Sequence, residues 1–124
     1  MNNQFSKMTM KINVLSQIGE NCITPEDGEL IHQLIYTCLS NGNSIELDFT
    51  GVRIFASPFF NVAIGQLFED FKRDMLKEHL TFVGLTGHGS RVLQRVIENA
   101  DLFYSNQTYR MALKTVITQK SESY

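Results

Sequence analysis

The sequence has no continuous apolar run of the length a membrane helix or a signal-peptide core requires, and its start, MNNQFSKMTMKINV, mixes polar with alternating apolar residues. A cytoplasmic protein with no membrane partner is the expectation. Cysteine is scarce: Cys22 and Cys38 stand far apart without a CxxC pattern, which is neither a disulfide framework nor a zinc signature. Both are read as reduced thiols. A basic excess is missing as well, with 11 Lys and Arg against 13 Asp and Glu and a net charge of -2. Nothing here draws in a phosphate backbone, so nucleic acid is not an expected partner. His32 and His79 have no companion at ligand spacing, so no metal is expected. There is no internal repeat, low-complexity tract or linker either. The 124 residues therefore read as one domain, 1–124, with its core over about 7–118 and a frayed polar tail at 119–124.

What is present is a clear change of hydrophobic period along the chain. Met8, Met10, Ile12 and Val14 alternate with polar residues, predicting a strand with one buried face over about residues 7–16. Thr24-Pro25-Glu26-Asp27 supplies an N-cap, a proline at N1 and two acids suited to a helix start. Leu30/Ile31, Leu34/Ile35 and Cys38/Leu39 form the stripe of that helix, and Asn41-Gly42 ends it. Ile45, Leu47 and Phe49 alternate again, as a second half-buried strand. From Ser57 the period is helical, with Phe60, Ile64, Leu67/Phe68, Phe71 and Met75 on one face. Leu80 to Leu85 reads as a third strand, its apolar run pointing to a central place in the sheet. GLTGHGS turns into another helix, striped by Val92/Leu93, Val96/Ile97 and Ala100 to Phe103, and residues 107–118 read as a last one. The order β-α-β-α-β-α-α predicts parallel pairing of the later strands. Clean alternation in the first two strands indicates helices mainly on one face of the sheet, unlike a doubly wound nucleotide fold.

The segment LDFTGV, followed by a loop and an apolar helix, resembles the central signature of the STAS domain, the fold of anti-sigma factor antagonists and of sulfate-transporter cytoplasmic tails. FASPFFNVAIGQL, with CITPEDGELI upstream and RVIENADLFY downstream, is similar to the bacterial STAS-like family of small proteins. The similarity runs from Cys22 to Tyr104. It implies an α/β fold, a STAS-like mixed β-sheet with helices packed mainly on one face. It also implies a regulatory interaction module rather than an enzyme. In the antagonists, a serine at this helix start is phosphorylated by a histidine-kinase-like ATPase partner, and that phosphate breaks their complex. The antagonist pattern is Asp-Ser-Ser-Gly with the acceptor second, whereas this chain has Ala56-Ser57-Pro58-Phe59. Pro58 stands at the acceptor position, and the Asp and Gly that present the hydroxyl are missing.

Each candidate residue has a plainer role to set beside the functional one. Ser57 before Pro58 is a standard helix opening, so the hydroxyl is expected to cap; contact with a partner and phosphoacceptor chemistry at Ser57 are the further roles. Asp48 has the acidity of a base, but on an alternating strand it is expected to face the open side of the sheet or to cap a nearby loop. A Ser57/His88/Asp48 triad is imaginable because parallel strands deliver their C-terminal loops to one edge, yet no nucleophile elbow or oxyanion hole accompanies it. In Gly87, His88, Gly89, Ser90 and Arg91, glycines before a helix and a nearby guanidinium point to phosphate or nucleotide binding. The competing reading is a turn with Ser90 as N-cap, since neither GxGxxG nor a Walker lysine is present. Phe59 lies off the core stripe: with Phe55 and Arg53 it can form an exposed aromatic patch at the helix start, and its plainer role is burial against the next loop.

The reading is thus a non-catalytic module without cofactor. It is expected to bind a histidine-kinase-like ATPase, or another component of a bacterial regulatory or defence operon, through Arg53, Phe55, Ser57, Pro58, Phe59 and Asn61. The alternative is a small-ligand sensor using the 87–91 loop. Self-association is left open.

Overall fold

A computed structural model describes residues 8–106 of the chain. The helix expected over 107–118 and the tail after it lie outside the described residues.

The first strand, β1 (Thr9–Asn13), is shorter than its alternation predicts, because Asn13 turns the chain into a helix. The Asn13 side chain accepts the N–H of Ser16 at 2.9 Å, and the five residues Val14–Ile18 coil as α1 until Gly19, at φ 91°, ends them. Asn caps a helix as well as Ser does. Val14 is buried as expected, but from α1; Met8 and Met10 are 66% and 44% exposed. A short β2 (Asn21–Cys22) leads to α2 (Pro25–Ser40). Its start is as read: Thr24 accepts the N–H of Asp27 at 3.1 Å, Pro25 occupies the first turn, and Gly42 takes φ 81° beyond the end. The buried face is rotated from the expected stripe. It carries Gly28, Ile31, His32, Ile35, Cys38 and Leu39, and leaves Leu30 and Leu34 on the surface.

β3 (Ser44–Asp48) alternates as expected, with Ile45, Leu47 and the following Phe49 fully buried. After β4 (Ile54–Phe55) the chain enters α3 (Ser57–Ala63). The single helix expected from Ser57 through Met75 is broken. A 3-10 turn occupies Gly65–Glu69, and α4 (Arg73–His79) starts afresh. Gly65 has the weak helix propensity that permits the break, and it sits close to the helix that carries Val96, whose side chain a Cβ would approach to 3.5 Å. The residues of the stripe still reach the core, Phe60, Ile64 and Leu67 being buried. β5 (Leu80–Val83) and α5 (Gly87–Ser105) complete the described chain.

Among the described residues all strand pairings are parallel, in a sheet of order β1-β3-β5 and a small ribbon of β2 with β4. The α/β class inferred from sequence holds. β3, not β5, is central, so the apolar run of β5 has another cause: Leu80 and Phe82 face the groove that α4 and α5 border. The core lies between the sheet and α2, α3 and α5. Phe49, Phe55 and Phe60 converge there, with ring centroids 5.8 to 6.2 Å apart and Phe55 stacked on Phe60 at 3°. Each such pair contributes about 0.5–1.5 kcal/mol beyond its buried area.

Candidate functional site

The chain from β3 to α3 is set by turn chemistry. Asp48 Oδ1 accepts the Thr50 N–H at 2.9 Å and its hydroxyl at 2.6 Å, and Val52 N–H closes the turn on Phe49 O at 2.9 Å around Gly51 at φ 90°. The two Thr50 hydrogen bonds, side chain before backbone, hold the Asp48 carboxyl below its ordinary range. Asp48 therefore caps a loop, one of the two roles its strand position allowed. Gly84, at φ 76°, fits against the same turn, where a Cβ would lie 2.5 Å from Thr50 Oγ1.

Beyond the turn, Ala56 N–H bonds Cys22 O at 2.9 Å, which holds residue 56 in an extended conformation, φ -131° and ψ 148°. An N-cap needs that conformation. Ala56, with no side-chain hydrogen bond, is therefore the N-cap, and Ser57 is already helical. The expected capping by Ser57 does not occur. Ser57 is exposed, as are Arg53, Pro58 and Asn61.

The exposed aromatic patch does not form either. Phe59 is 0% exposed and Phe55 is 4% exposed. Phe59 is drawn inward because α2 and α3 meet closely at Gly28, where a Cβ would lie 2.6 Å from Phe59 O, and its ring packs on Phe60 with centroids 5.2 Å apart. Phe55 is roofed by Gly89, where a Cβ would lie 3.0 Å from the ring. That contact accounts for the second glycine of GHG. The N-cap of α5 is Thr86, whose hydroxyl accepts the Gly89 N–H at 3.0 Å, so Ser90 is not the cap.

With α5 brought this close, Ser57 and Asn61 of α3 and His88 and Arg91 of α5 line one cavity of about 470 Å³. Arg95 and Asn99 extend its wall, and Phe55, Val92 and Val96 also line it. Gly87 and Ser90 are exposed beside it. Residues from the two segments singled out in the sequence thus meet. Arg95 and Asn99 were missed; the signal was there, since positions 88, 91, 95 and 99 follow one face of a helix. Asp48 does not line the cavity, and among the described residues no hydrogen bond joins Ser57 to His88. The imagined triad is not assembled.

All nine residues of the cavity lie within a match, over residues 27–99, to the family described as a STAS-like domain of unknown function (DUF4325). The chain belongs to this STAS-like family. No curated protein and no solved structure matches it. The STAS-like match takes in α2 from its third residue, β3, α3, β5 and the part of α5 that faces the cavity. Among the described residues, no helix is long and apolar enough to cross a membrane, and no group of three His, Cys, Asp or Glu gathers as a metal site would require.

Proposed function

We propose that this STAS-like chain is a non-catalytic regulatory module of the bacterial cytoplasm that binds a histidine-kinase-like ATPase, or another regulatory or defence-operon protein, through the loop and helix start around 53–61. The observation that supports it is the surface formed by Arg53, Ser57, Pro58 and Asn61, all exposed where β4 passes into α3. Phe55 and Phe59 support this surface from beneath, as buried rings that fix the helix angle, and make no direct contact in the proposal. The unassembled triad favours recognition over hydrolysis, because acyl transfer needs nucleophile, base and orienting acid within hydrogen-bond reach.

The test is binding of the purified chain to the histidine-kinase-like ATPase encoded nearest to its gene, by biolayer interferometry. Arg53→Glu and Asn61→Arg should each weaken the complex about tenfold or more while leaving the melting curve unchanged, as loss of a central polar contact does. Unaltered affinity in both variants would move the interface elsewhere.

A further inference from the structure

The cavity between α3 and α5 has an electrostatic character that docking of a protein on the 53–61 surface does not require. Its lining includes two guanidinium groups, Arg91 and Arg95, together with His88, and no acidic residue. Neither arginine belongs to an ion pair among the described residues, where the pairs are Arg73 with Asp101 and His79 with Glu78. The start of α5 is also the reverse of the start of α2. The first turn of α2 carries Glu26 and Asp27, whereas the first turn of α5 carries no acid. Instead the Arg91 guanidinium folds back over it, so that a Cβ on Gly87 would lie 3.4 Å from Nη1. A helix start is the positive end of the helix, and the N–H groups of its first residues have no helical acceptor. Like charge is therefore gathered on like, beside a cavity, in a chain whose net charge is -2. An anion placed there would offset it.

We infer that the α3–α5 cavity binds a phosphate monoester dianion, held by Arg91 and Arg95 with polar contacts from Ser57, Asn61, His88 and Asn99. Two guanidinium forks on successive helical turns offer more parallel N–H donors than one carboxylate can accept, and a phosphate presents three terminal oxygens to them. The volume of about 470 Å³ lies within the range of small-ligand sites. The Phe55 ring, 4% exposed, offers no face for a base to stack on, so the phosphate rather than a nucleobase is what the site reads. The phosphate can arrive on a small molecule or on a phosphorylated side chain of another protein; the chemistry of capture is the same. The inference stands apart from the partner reading, although Ser57 and Asn61 belong to both surfaces.

Isothermal titration of the purified chain with AMP, and separately with an Ala-Ala-phosphoserine-Ala-Ala peptide, tests it. Saturable binding of at least one phosphate probe is expected, with none for adenosine or the unphosphorylated peptide, and the tighter probe identifies the source. Arg91→Ala and Arg95→Ala should each weaken binding about tenfold or more, the usual worth of a hydrogen bond to a charged group. Arg73→Ala should not change it. Both cavity arginines are exposed, so the melting curves of these variants should match the parent and exclude unfolding as the cause. The inference is overturned if neither phosphate probe saturates by about 10 mM, a concentration beyond weak specific binding. Binding indifferent to both substitutions would overturn it too, as would tighter binding of hexaglutamate than of either phosphate probe. The ATPase plays no part in these titrations, so failure here leaves the partner reading standing, and the reverse.

Discussion

Gly28 shows how one missing side chain decides how two helices meet. It lies in the first turns of α2, where alanine has the better helix propensity by about 1 kcal/mol. A Cβ there would nevertheless meet Phe59 O at 2.6 Å and Val62 Cβ at 3.1 Å, and a backbone carbonyl cannot swing aside. Gly28→Ala should therefore destabilise the fold by about 1–3 kcal/mol in urea unfolding, the usual cost of overpacking; a gain in stability would show the α2–α3 contact to be looser. Cys22 gives a pH dependence of defined sign. Burial, and secondarily the Asp27 carboxylate, push its thiol from 9.0 up to about 12, and burial raises Cys38 as well. Above pH 9 the unfolded thiol loses its proton while the folded one keeps it, so stability present below that pH falls as pH rises toward 12. For Cys22 the slope is about 1.4 kcal/mol per pH unit. Urea midpoints between about pH 8 and 10.5 should fall less steeply in Cys22→Ala than in the parent; equal slopes would mean that the buried thiol does not contribute.

At the scale of elements, the start of α2 is legible to the residue in the sequence, whereas the caps of α3 and α5 and the continuity of α3 are not. Thr24-Pro25 was read correctly because the cap, the proline and the acids all point the same way. Ser57-Pro58 misled because the N-cap is chosen by backbone conformation, and the bond from Ala56 N–H to Cys22 O, a contact between distant parts of the chain, sets that conformation one residue early. Replacing Ala56 with Ser should then stabilise the protein by about 0.5–2 kcal/mol, whereas Ser57→Ala should cost less than about 0.5 kcal/mol. Thermal melts showing the opposite order would restore Ser57 as the cap. The break of the α3 helix at Ile64 was hidden because a 3-10 turn keeps apolar residues three apart, close enough to helical spacing to extend the stripe. The stripe was nonetheless right about burial. Ile64→Ala and Leu67→Ala should each cost about 2–5 kcal/mol, given exposures of 1% and 0%, and chemical denaturation would measure this directly.

For the whole molecule, parallel pairing and the α/β class followed from the order of periods along the sequence. Sheet order did not, because an apolar strand can owe its composition to the helices beside it as well as to neighbouring strands, as β5 does. The position of Phe59 was hidden for a related reason: its partner is the gap left by Gly28 on α2, a distant absence that no local spacing reveals. The cavity was half visible, since Ser57, Asn61, His88 and Arg91 were each singled out, but only the approach of α5 over Phe55 at Gly89 joins them. The docking of a regulatory ATPase proposed above uses the exposed residues of 53–61, namely Arg53, Ser57, Pro58 and Asn61. Hydrogen exchange of backbone amides, compared for the free chain and its complex with that ATPase, tests it most directly. Docking there should slow exchange in peptides spanning 53–61 and leave α4, at 73–79, unchanged; slowing confined to α4 or β5, with 53–61 exchanging as in the free chain, would place the ATPase on another face.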